Sequence, residues 1–175
     1  LNEEKNIINT LNAIKDVVDN SDIAYEIIIF DDNSIDKTVQ NIKNFSKSNI
    51  NVPITLILNK TTLGLGSNYV DGAYIAKYKY YVCIFGGNSE PKETIELLIS
   101  KLGKFDIIIP YFNHKNRTLF RRLLSHSYTF LVNTISGHSI KYYNWSVVHL
   151  RKNVMRWHSD SFGFAYQAEI ITRLL

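Results

Sequence analysis

The chain has 175 residues, 45% of them hydrophobic and 21% charged, and this size and composition predict a single soluble domain over residues 1–175. The net charge of +4 suits phosphate-bearing ligands or an anionic membrane surface, and it is too small to indicate nucleic acid as a partner. One cysteine excludes a disulfide framework, and no run of eighteen apolar residues predicts a membrane-spanning helix.

The first 60 residues alternate between helix and strand patterns. Apolar residues at helical spacing predict a first helix, with Asn2 as its N-cap and Glu3 in its first turn. A run of apolar, mostly β-branched residues predicts a strand over 26–30 that is buried on both faces. A second helix from about Asp36 and a second strand over 54–58 follow.

The next 50 residues continue this alternation. A third helix follows a glycine-containing loop, and a third apolar strand is predicted over 80–85. A helix then begins at Pro91, with Asn88 or Ser89 as its cap, and a fourth strand covers 105–110. Alternation at this spacing predicts an α/β fold, a three-layer α/β/α sandwich with a mostly parallel central sheet and right-handed crossovers.

The last third of the chain has a different character. A long helical pattern over 117–136 begins with three arginines, and its apolar residues cover more than one face. Such a helix either lies at a membrane interface or packs as a core helix with a solvated basic start. Residues 138–153 allow a short antiparallel strand, and the chain ends inside another helical pattern. Because no strand precedes the first helix, we expect residues 1–175 to lack the first strand and the C-terminal segment of the domain.

Polar residues follow each predicted strand. Asp31 and Asp32 end the first strand, Asn59 and Lys60 end the second, and polar residues also follow at 86–90 and 111–114. In open α/β sheets the carboxyl ends of the strands form the ligand site, so these residues are expected to converge. Paired acids suit the N–H edge of a base or a ribose hydroxyl.

The glycines of the loop after the second strand have a possible ligand role of their own. Gly64 and Gly66 precede a helix and suit a phosphate there. The alternatives are that the acids merely end a strand and that the glycines form a turn. The loop also lacks the third glycine of a dinucleotide-binding fingerprint.

Four blocks in this order resemble glycosyltransferase family 2. They are Asn2-Glu3-Glu4, IIIFDDNSIDKT, N-x4-G-x-G with Gly72 and Ala76, and a strand that ends just before Pro91. Looser similarity continues through Arg121-x3-Ser125 and Phe162-Gly163-x5-Glu169, although Glu169 also fits an exposed helix residue. Within the family, the blocks are most similar to the dolichol-phosphate or polyprenol-phosphate sugar transferases.

The resemblance implies a GT-A fold and a specific reaction. A sugar would pass from a UDP- or GDP-linked donor, held with a divalent metal such as Mg²⁺ or Mn²⁺, to a lipid-phosphate or cell-envelope glycan acceptor. The protein would then be cytoplasmic, in peripheral contact with the inner face of a membrane. When the acceptor is a lipid phosphate, its oxygen is already anionic and needs no general base, and no residue is assigned as one.

The resemblance also assigns residues to the two substrates. Asp32 would hydrogen-bond the base, Asp31 would support it, and Glu3 would lie beside the base and ribose. An arginine fork suits an acceptor phosphate, although a solvated cation at a helix start is an equal alternative for Arg121. The full nucleotide-binding set is Glu3, Phe30, Asp31, Asp32, Asn59, Gly64 and Gly87, and the acceptor-phosphate set is Arg117, Arg121 and Ser125.

One position departs from the family pattern. Where the family has an Asp-x-Asp motif that binds the metal, this chain has Gly87 and Ser89, which leaves Glu90 and Asn88 as the nearby oxygen donors. Either Glu90 shifts to bind the metal, or a basic residue replaces the metal, or the protein binds the donor without transferring sugar. A degenerate nucleotide-sugar-binding protein is therefore the second hypothesis. An unrelated nucleotide-binding protein, such as a cytidylyltransferase-like domain, is the third.

Overall fold

A computed structural model describes residues 1–111 and 118–175 of the chain. Helices and strands alternate through most of it. The described chain begins with α1 (Ile7–Asp19), β1 (Ile27–Asp31), α2 (Thr38–Ser48), β2 (Ile54–Leu58), α3 (Leu65–Ile75) and β3 (Tyr80–Val82). It continues with α4 (Lys92–Ser100), β4 (Ile107–Ile108), α5 (Leu119–Ser136), β5 (Val148–Leu150), α6 (Arg151–Arg156) and α7 (Tyr166–Leu174).

The strands form two hydrogen-bonded groups. β1 and β2 pair in parallel, with Ile27 opposite Ile54 and Asp31 opposite Leu58. β5 lies between β3 and β4 and is antiparallel to both, so β3 and β4 point in the same direction. Within the described residues, parallel hydrogen bonding joins only β1 to β2, because β5 separates β3 from β4. The predicted α/β class is confirmed, and β5 is the short antiparallel strand expected after residue 138.

Helices pack on both faces of the β1–β2 pair. On one face, buried side chains of α1 and α2 contact alternate strand residues and form a cluster that includes Ile7, Leu11, Ile42, Phe45, Ile27, Ile29, Ile54 and Leu56. On the other face, Phe30 lies against Gly72 of α3, where a Cβ atom would be 3.2 Å from Phe30 Cε2. Alternation of side chains along β1 therefore serves two helical layers.

The strand β1 is less buried than the sequence predicts. Its residues Ile27 to Phe30 are half-buried, and only Asp31 is fully buried. Among the described residues β1 has a hydrogen-bonded neighbour on one edge only, so part of each apolar side chain remains accessible.

The second half of the core is built around α7. Tyr166 and Ile170 pack against α3 and α6, while Ala168 and Ile171 pack against the segment before β5 and the inner side of α5. Successive positions on α7 thus face two separate clusters. The helix α7 therefore packs against α3 on one side and against the segment before β5 on the other.

Two predicted helix starts are wrong. α1 begins at Ile7 rather than after Asn2, because residues 2–4 bind the loop that follows β1: Asn2 has φ of 55° and its Oδ1 accepts from Ile35 N at 3.0 Å. α4 begins at Lys92 after Pro91 and has no side-chain cap, since the hydroxyl of Ser89 donates to Glu90 instead. The strands β3 and β4 are also shorter than predicted.

The long helix α5 packs only lightly on the rest of the protein. None of its described side chains is fully buried, and large apolar residues are exposed along one side: Leu119, Phe120, Leu123, Leu124, Phe130, Leu131 and Ile135. The opposite side contributes Tyr128 and Val132 to the core. No helix in the described part of the chain has the length and hydropathy needed to cross a membrane.

Candidate functional site

The ends of β1 and β2 meet at one edge of the sheet, as the sequence predicts. Asn59 N donates to the Asp31 carbonyl at 2.9 Å, which extends the parallel ladder by one bond. The Asn59 side chain then donates to Asp32 Oδ1 at 2.8 Å and to Asn68 Oδ1 at 2.7 Å. The polar residues after both strands therefore form one hydrogen-bonded group.

The carboxylate of Asp32 fixes the loop that precedes α3. Its Oδ1 accepts from Leu63 N at 2.9 Å, and its Oδ2 accepts from Gly64 N at 3.0 Å. Partial burial alone would raise the pKa of Asp32, but these N–H donors and the amides of Asn59 and Asn68 together lower it. Asp32 is thus held as an anion whose oxygens already have partners within the chain.

Asp31 has acceptor capacity to spare. Its side chain is buried, with 4% exposed, and its Oδ2 accepts from Ser34 N at 2.9 Å. Its Oδ1 is buried and has no hydrogen-bond partner among the described residues. A buried oxygen without a donor is unfavourable, so a ligand that supplied an N–H or O–H here would gain a favourable contact. Asp31 was expected to support Asp32, and Asp32 was expected to bind the ligand. In the structure the Asp32 oxygens bind groups of the chain itself, while Asp31 Oδ1 has no partner among the described residues.

The glycines before α3 approach the chain's own backbone. Gly64 has φ of 88°, and a Cβ atom there would lie 2.5 Å from the Phe162 carbonyl oxygen. Gly66 N donates to the same carbonyl at 2.8 Å, and a Cβ atom on Gly66 would collide with the Ser161 carbonyl. The N–H groups expected to hold a phosphate thus have acceptors from Asp32 and Phe162.

Glu169 of α7 holds the segment that covers these glycines. Its carboxylate accepts from Ser161 Oγ at 2.8 Å and from the Ser159 hydroxyl, and it pairs with Arg173 at 2.6 Å. Burial alone would raise the pKa of Glu169, but these donors lower it to about 2. The sequence block Phe162-Gly163-x5-Glu169 singled out Glu169 by its resemblance to the family. Its spacing gave no indication that this segment contacts Gly64.

Glu3 and its neighbours connect the segment after β1 to the loop after β3. Asn2 N donates to Ser34 Oγ at 2.8 Å in the loop after β1, and Glu3 N donates to Thr38 Oγ1 at 2.8 Å at the start of α2. A Cβ atom on Gly87 would lie 3.2 Å from Glu3 Oε1. Thr10 Oγ1 also donates to the Gly86 carbonyl at 3.0 Å. The segments that follow β1 and β3 therefore meet around Glu3, which was expected to lie beside a nucleotide.

The residues expected to bind a metal do not form a metal site. Glu90 is 4% exposed, and its oxygens accept from Ser146 Oγ at 2.6 Å and from Ser89 Oγ at 3.0 Å. Burial raises the pKa of Glu90, while the hydrogen bonds from Ser146 and Ser89 act in the opposite direction. Asn88 is exposed with φ of 54°. The described residues contain no group of three or more His, Cys, Asp or Glu side chains that could hold a metal.

The residues expected to bind an acceptor phosphate are partly described. Arg121 is exposed and Ser125 is half-buried, one turn apart on α5, and Thr118 Oγ1 caps this helix by accepting from Arg121 N at 3.5 Å. Arg117 lies outside the described residues, as does most of the predicted strand end at 111–114. The structure therefore leaves Arg121 accessible to an anion.

A cavity near Glu90 was not predicted. Its volume is about 400 Å³, and its walls come from the loop after β3, the segment before β5 and the start of α7. The lining side chains are Phe85, Ser89, Tyr142, Asn144, Trp145, Phe164, Tyr166 and Gln167. The aromatic residues at 142–145 were visible in the sequence only as part of a poorly defined strand pattern.

A comparison with protein-family models matches residues 1–162 to Glycosyl transferase family 2. No curated protein gives a significant match to the chain. The matched range includes both strand ends with their acidic and amide residues, the glycine loop, the segment at 86–90 and the cavity segment before β5.

Proposed function

The chain belongs to glycosyltransferase family 2, and from this membership we propose that it transfers a sugar from a nucleoside diphosphate sugar to a polyprenyl phosphate or a cell-envelope glycan. Transfer would take place at the cytoplasmic face of a membrane. The observation that supports the proposal most directly is the convergence around residues 2–4 of the loops that follow β1 and β3. The GT-A fold of the family places its substrates at such strand ends.

The nucleotide would lie at the edge formed by Glu3, Phe30, Asp31, Asp32, Asn59, Gly64 and Gly87. Among the described residues, Asp31 Oδ1 has no partner and Asp32 Oδ2 accepts from Gly64 N. Each carboxylate oxygen can accept about two hydrogen bonds, so both acids retain capacity for the N–H edge of a base. Gly64 contributes indirectly, since its N–H fixes Asp32.

The acceptor would reach the site from α5. This helix exposes an apolar face, and Arg121 and Arg122 near its start add positive charge. An apolar face with flanking cations suits the surface of an anionic bilayer, and a guanidinium suits the phosphate of a lipid acceptor. The chemistry would then be direct: a phosphate oxygen attacks the anomeric carbon, the bond from that carbon to the diphosphate breaks, and the nucleoside diphosphate leaves.

A second candidate function is nucleotide-sugar binding without transfer. The burial of Glu90 and its hydrogen bonds with Ser146 and Ser89 favour this candidate, because the described residues contain no group of acids that replaces the missing Asp-x-Asp motif. In the described part of the chain, the divalent metal that the family implies therefore has no fitting donor set, and the transfer is written without a metal.

A transfer assay tests the proposal. The chain is incubated with radiolabelled UDP- and GDP-sugars and a polyprenyl phosphate in phosphatidylglycerol vesicles, and label in the lipid fraction is counted. We expect label with at least one donor, and we expect Arg121→Ala to reduce it while Arg156→Ala, an exposed arginine outside α5, does not. Nucleotide binding without labelled lipid would favour the second candidate. The absence of both would contradict the family-based proposal.

Vesicle sedimentation tests the membrane contact separately. Phe130 is 74% exposed on the apolar face of α5, and Phe105 is 56% exposed before β4. We expect Phe130→Glu to lower the fraction of chain that sediments with the vesicles, because a charge would enter the lipid interface. The matched change Phe105→Glu should leave that fraction unchanged. Equal sedimentation of both variants would exclude α5 as the membrane surface.

A further inference from the structure

We propose that the cavity beside Glu90 binds an uncharged hexopyranose ring. This inference rests on the proposed function and adds to it the part of the protein that holds the sugar. The cavity has a volume of about 400 Å³, at the lower end of the roughly 300–1,000 Å³ typical of small-ligand pockets. This volume suits one sugar ring rather than a whole sugar nucleotide.

Five of the lining side chains are aromatic, and none of the eight carries a formal charge. The rings of Tyr142 and Trp145 lie 6.5 Å apart at 55°, and Phe164, which is 70% exposed, lines the cavity from a position open to solvent. A pyranose presents C–H groups on its faces, which pack on aromatic rings, and hydroxyl groups around its edge. An aromatic, uncharged cavity therefore suits a sugar better than it suits a phosphate.

One polar group in the wall lacks a partner. Asn144 Oδ1 is buried and accepts no hydrogen bond from the described residues. Leaving such an oxygen unpaired is unfavourable, and a ligand hydroxyl would satisfy it. Gln167 is different, because its amide contacts His149 and Tyr166 within the core. Asn144 is thus the polar group best able to choose between sugars that differ at one hydroxyl.

The cavity wall is fixed by the acid that was expected to bind a metal. Glu90 accepts from Ser146 Oγ at 2.6 Å, and this buried bond ties the segment that contains Asn144 and Trp145 to the loop after β3. The same loop includes Gly87, which lies beside Glu3. Glu90 is therefore a positioning residue for the sugar cavity, and the cavity shares the loop after β3 with the edge proposed for the nucleotide.

The ring could belong to the donor or to a glycan acceptor, and two titrations distinguish these sources. Calorimetry compares UDP with UDP-glucose and GDP with GDP-mannose. Tryptophan emission is followed with methyl glucoside and methyl mannoside in a Trp157→Phe variant, where Trp145 is the remaining tryptophan. A donor sugar predicts that a sugar nucleotide binds more tightly than its diphosphate, and an acceptor sugar predicts a shift of Trp145 emission by the glycoside alone.

Variants of the cavity give the decisive comparison. We expect Trp145→Ala to weaken the sugar-dependent binding roughly threefold to tenfold, the effect of losing one aromatic contact, with diphosphate affinity unchanged. Asn144→Ala should act in the same direction, while Asn51→Ala, an exposed asparagine elsewhere, should have no effect. Circular dichroism checks that each variant is folded.

Two results would overturn the sugar cavity. In the first, sugar nucleotides bind no more tightly than diphosphates and neither glycoside changes Trp145 emission. In the second, the cavity variants remain folded and leave the sugar-dependent binding unchanged. If no nucleotide binds but a glycoside shifts the emission of Trp145, the cavity assignment stands and the proposed transfer function fails.

Discussion

Gly66 donates its N–H to the carbonyl of Phe162 at 2.8 Å, and this bond seats the segment before α7 on the first turn of α3. The neighbouring Ser161 carbonyl is so close to Gly66 that a Cβ atom would collide with it. The glycine loop therefore accommodates the backbone of residues 161–162 of the same protein. This contact joins two groups of hydrogen bonds. Asp32 holds the loop before α3, and Glu169 holds the segment at 159–162 that packs on that loop.

Replacing Gly66 by alanine should destabilise the protein. The added methyl group would meet backbone atoms of Ser161, which move less easily than a flexible side chain. We expect the free energy of unfolding to fall by about 1–3 kcal/mol, the usual cost of overpacking. Urea denaturation measures it. Gly163→Ala is the control, because nothing lies within 4 Å of that position, and it should stay within about 0.5 kcal/mol of the parent. Equal stability of the two variants would contradict the contact.

Asp32→Ala should lower both stability and nucleotide affinity. The change leaves Leu63 N and Gly64 N without their acceptor, and an unpaired donor costs about 1–3 kcal/mol. Because the loop beside the proposed base would move, we expect affinity for UDP or GDP to fall at least about tenfold, which is about 1.4 kcal/mol. Calorimetry and urea denaturation measure the two effects. Asp22→Ala, at an exposed position before β1, should change neither. Unchanged affinity in Asp32→Ala would remove Asp32 from the nucleotide site.

Gly87→Asp should create metal affinity that the described residues lack. The new side chain would start 3.2 Å from Glu3 Oε1, so two carboxylates would share one location and favour a divalent cation. We expect Mn²⁺ affinity to rise at least about tenfold in a calorimetric titration. Gly163→Asp adds the same charge in open space and should not alter the affinity. If Gly87→Asp binds Mn²⁺ no better than the parent, the segment at 86–90 is not aligned with the family's metal motif.

Protonation of Glu169 in acid should weaken its hydrogen bonds with the segment at 159–161 and destabilise the folded protein. Hydrogen bonds hold the pKa of Glu169 at about 2 in the folded protein, against about 4.3 in an unfolded chain. Between these pH values the unfolded chain binds more protons, so the stabilisation is complete above pH 4.3 and is lost as the pH falls toward 2. Urea midpoints at pH 5, 4 and 3 should therefore decrease less steeply in Glu169→Gln than in the parent.

Glu96 supplies the control for this pH dependence. It is exposed on α4, and Glu96→Gln should preserve the parent's decrease between pH 5 and pH 3. A parent-like decrease in Glu169→Gln as well would show that the carboxylate does not couple folding to pH.

The α/β order of the chain followed from its sequence because local patterns encode it. Continuous β-branched runs such as 27–29 specify strands, and apolar residues at helical spacing specify the faces of α1 and α2. The polar residues at the ends of β1 and β2 were also predictable, since parallel strands deliver their carboxyl ends to one edge.

Contacts between distant segments were not predictable from such patterns. Gly64 looked the same in sequence whether its neighbour was a phosphate or the Phe162 carbonyl, which lies almost 100 residues away. Glu90 likewise resembled a spare metal ligand until its partner, Ser146, was known. Helix starts failed for a related reason: Asn2 is a good N-cap locally, but its hydrogen bonds to the loop after β1 hold it outside the helix.

Calorimetric titration of the chain with UDP and GDP, with and without Mn²⁺, tests the central claim that the strand ends form a nucleotide site. We predict that at least one diphosphate binds with one-to-one stoichiometry and that Asp32→Ala weakens it while Asp22→Ala does not. Tightening by Mn²⁺ would favour sugar transfer, and metal-independent binding would favour the binding protein without transfer. Failure of both diphosphates to bind under either condition would contradict the nucleotide site.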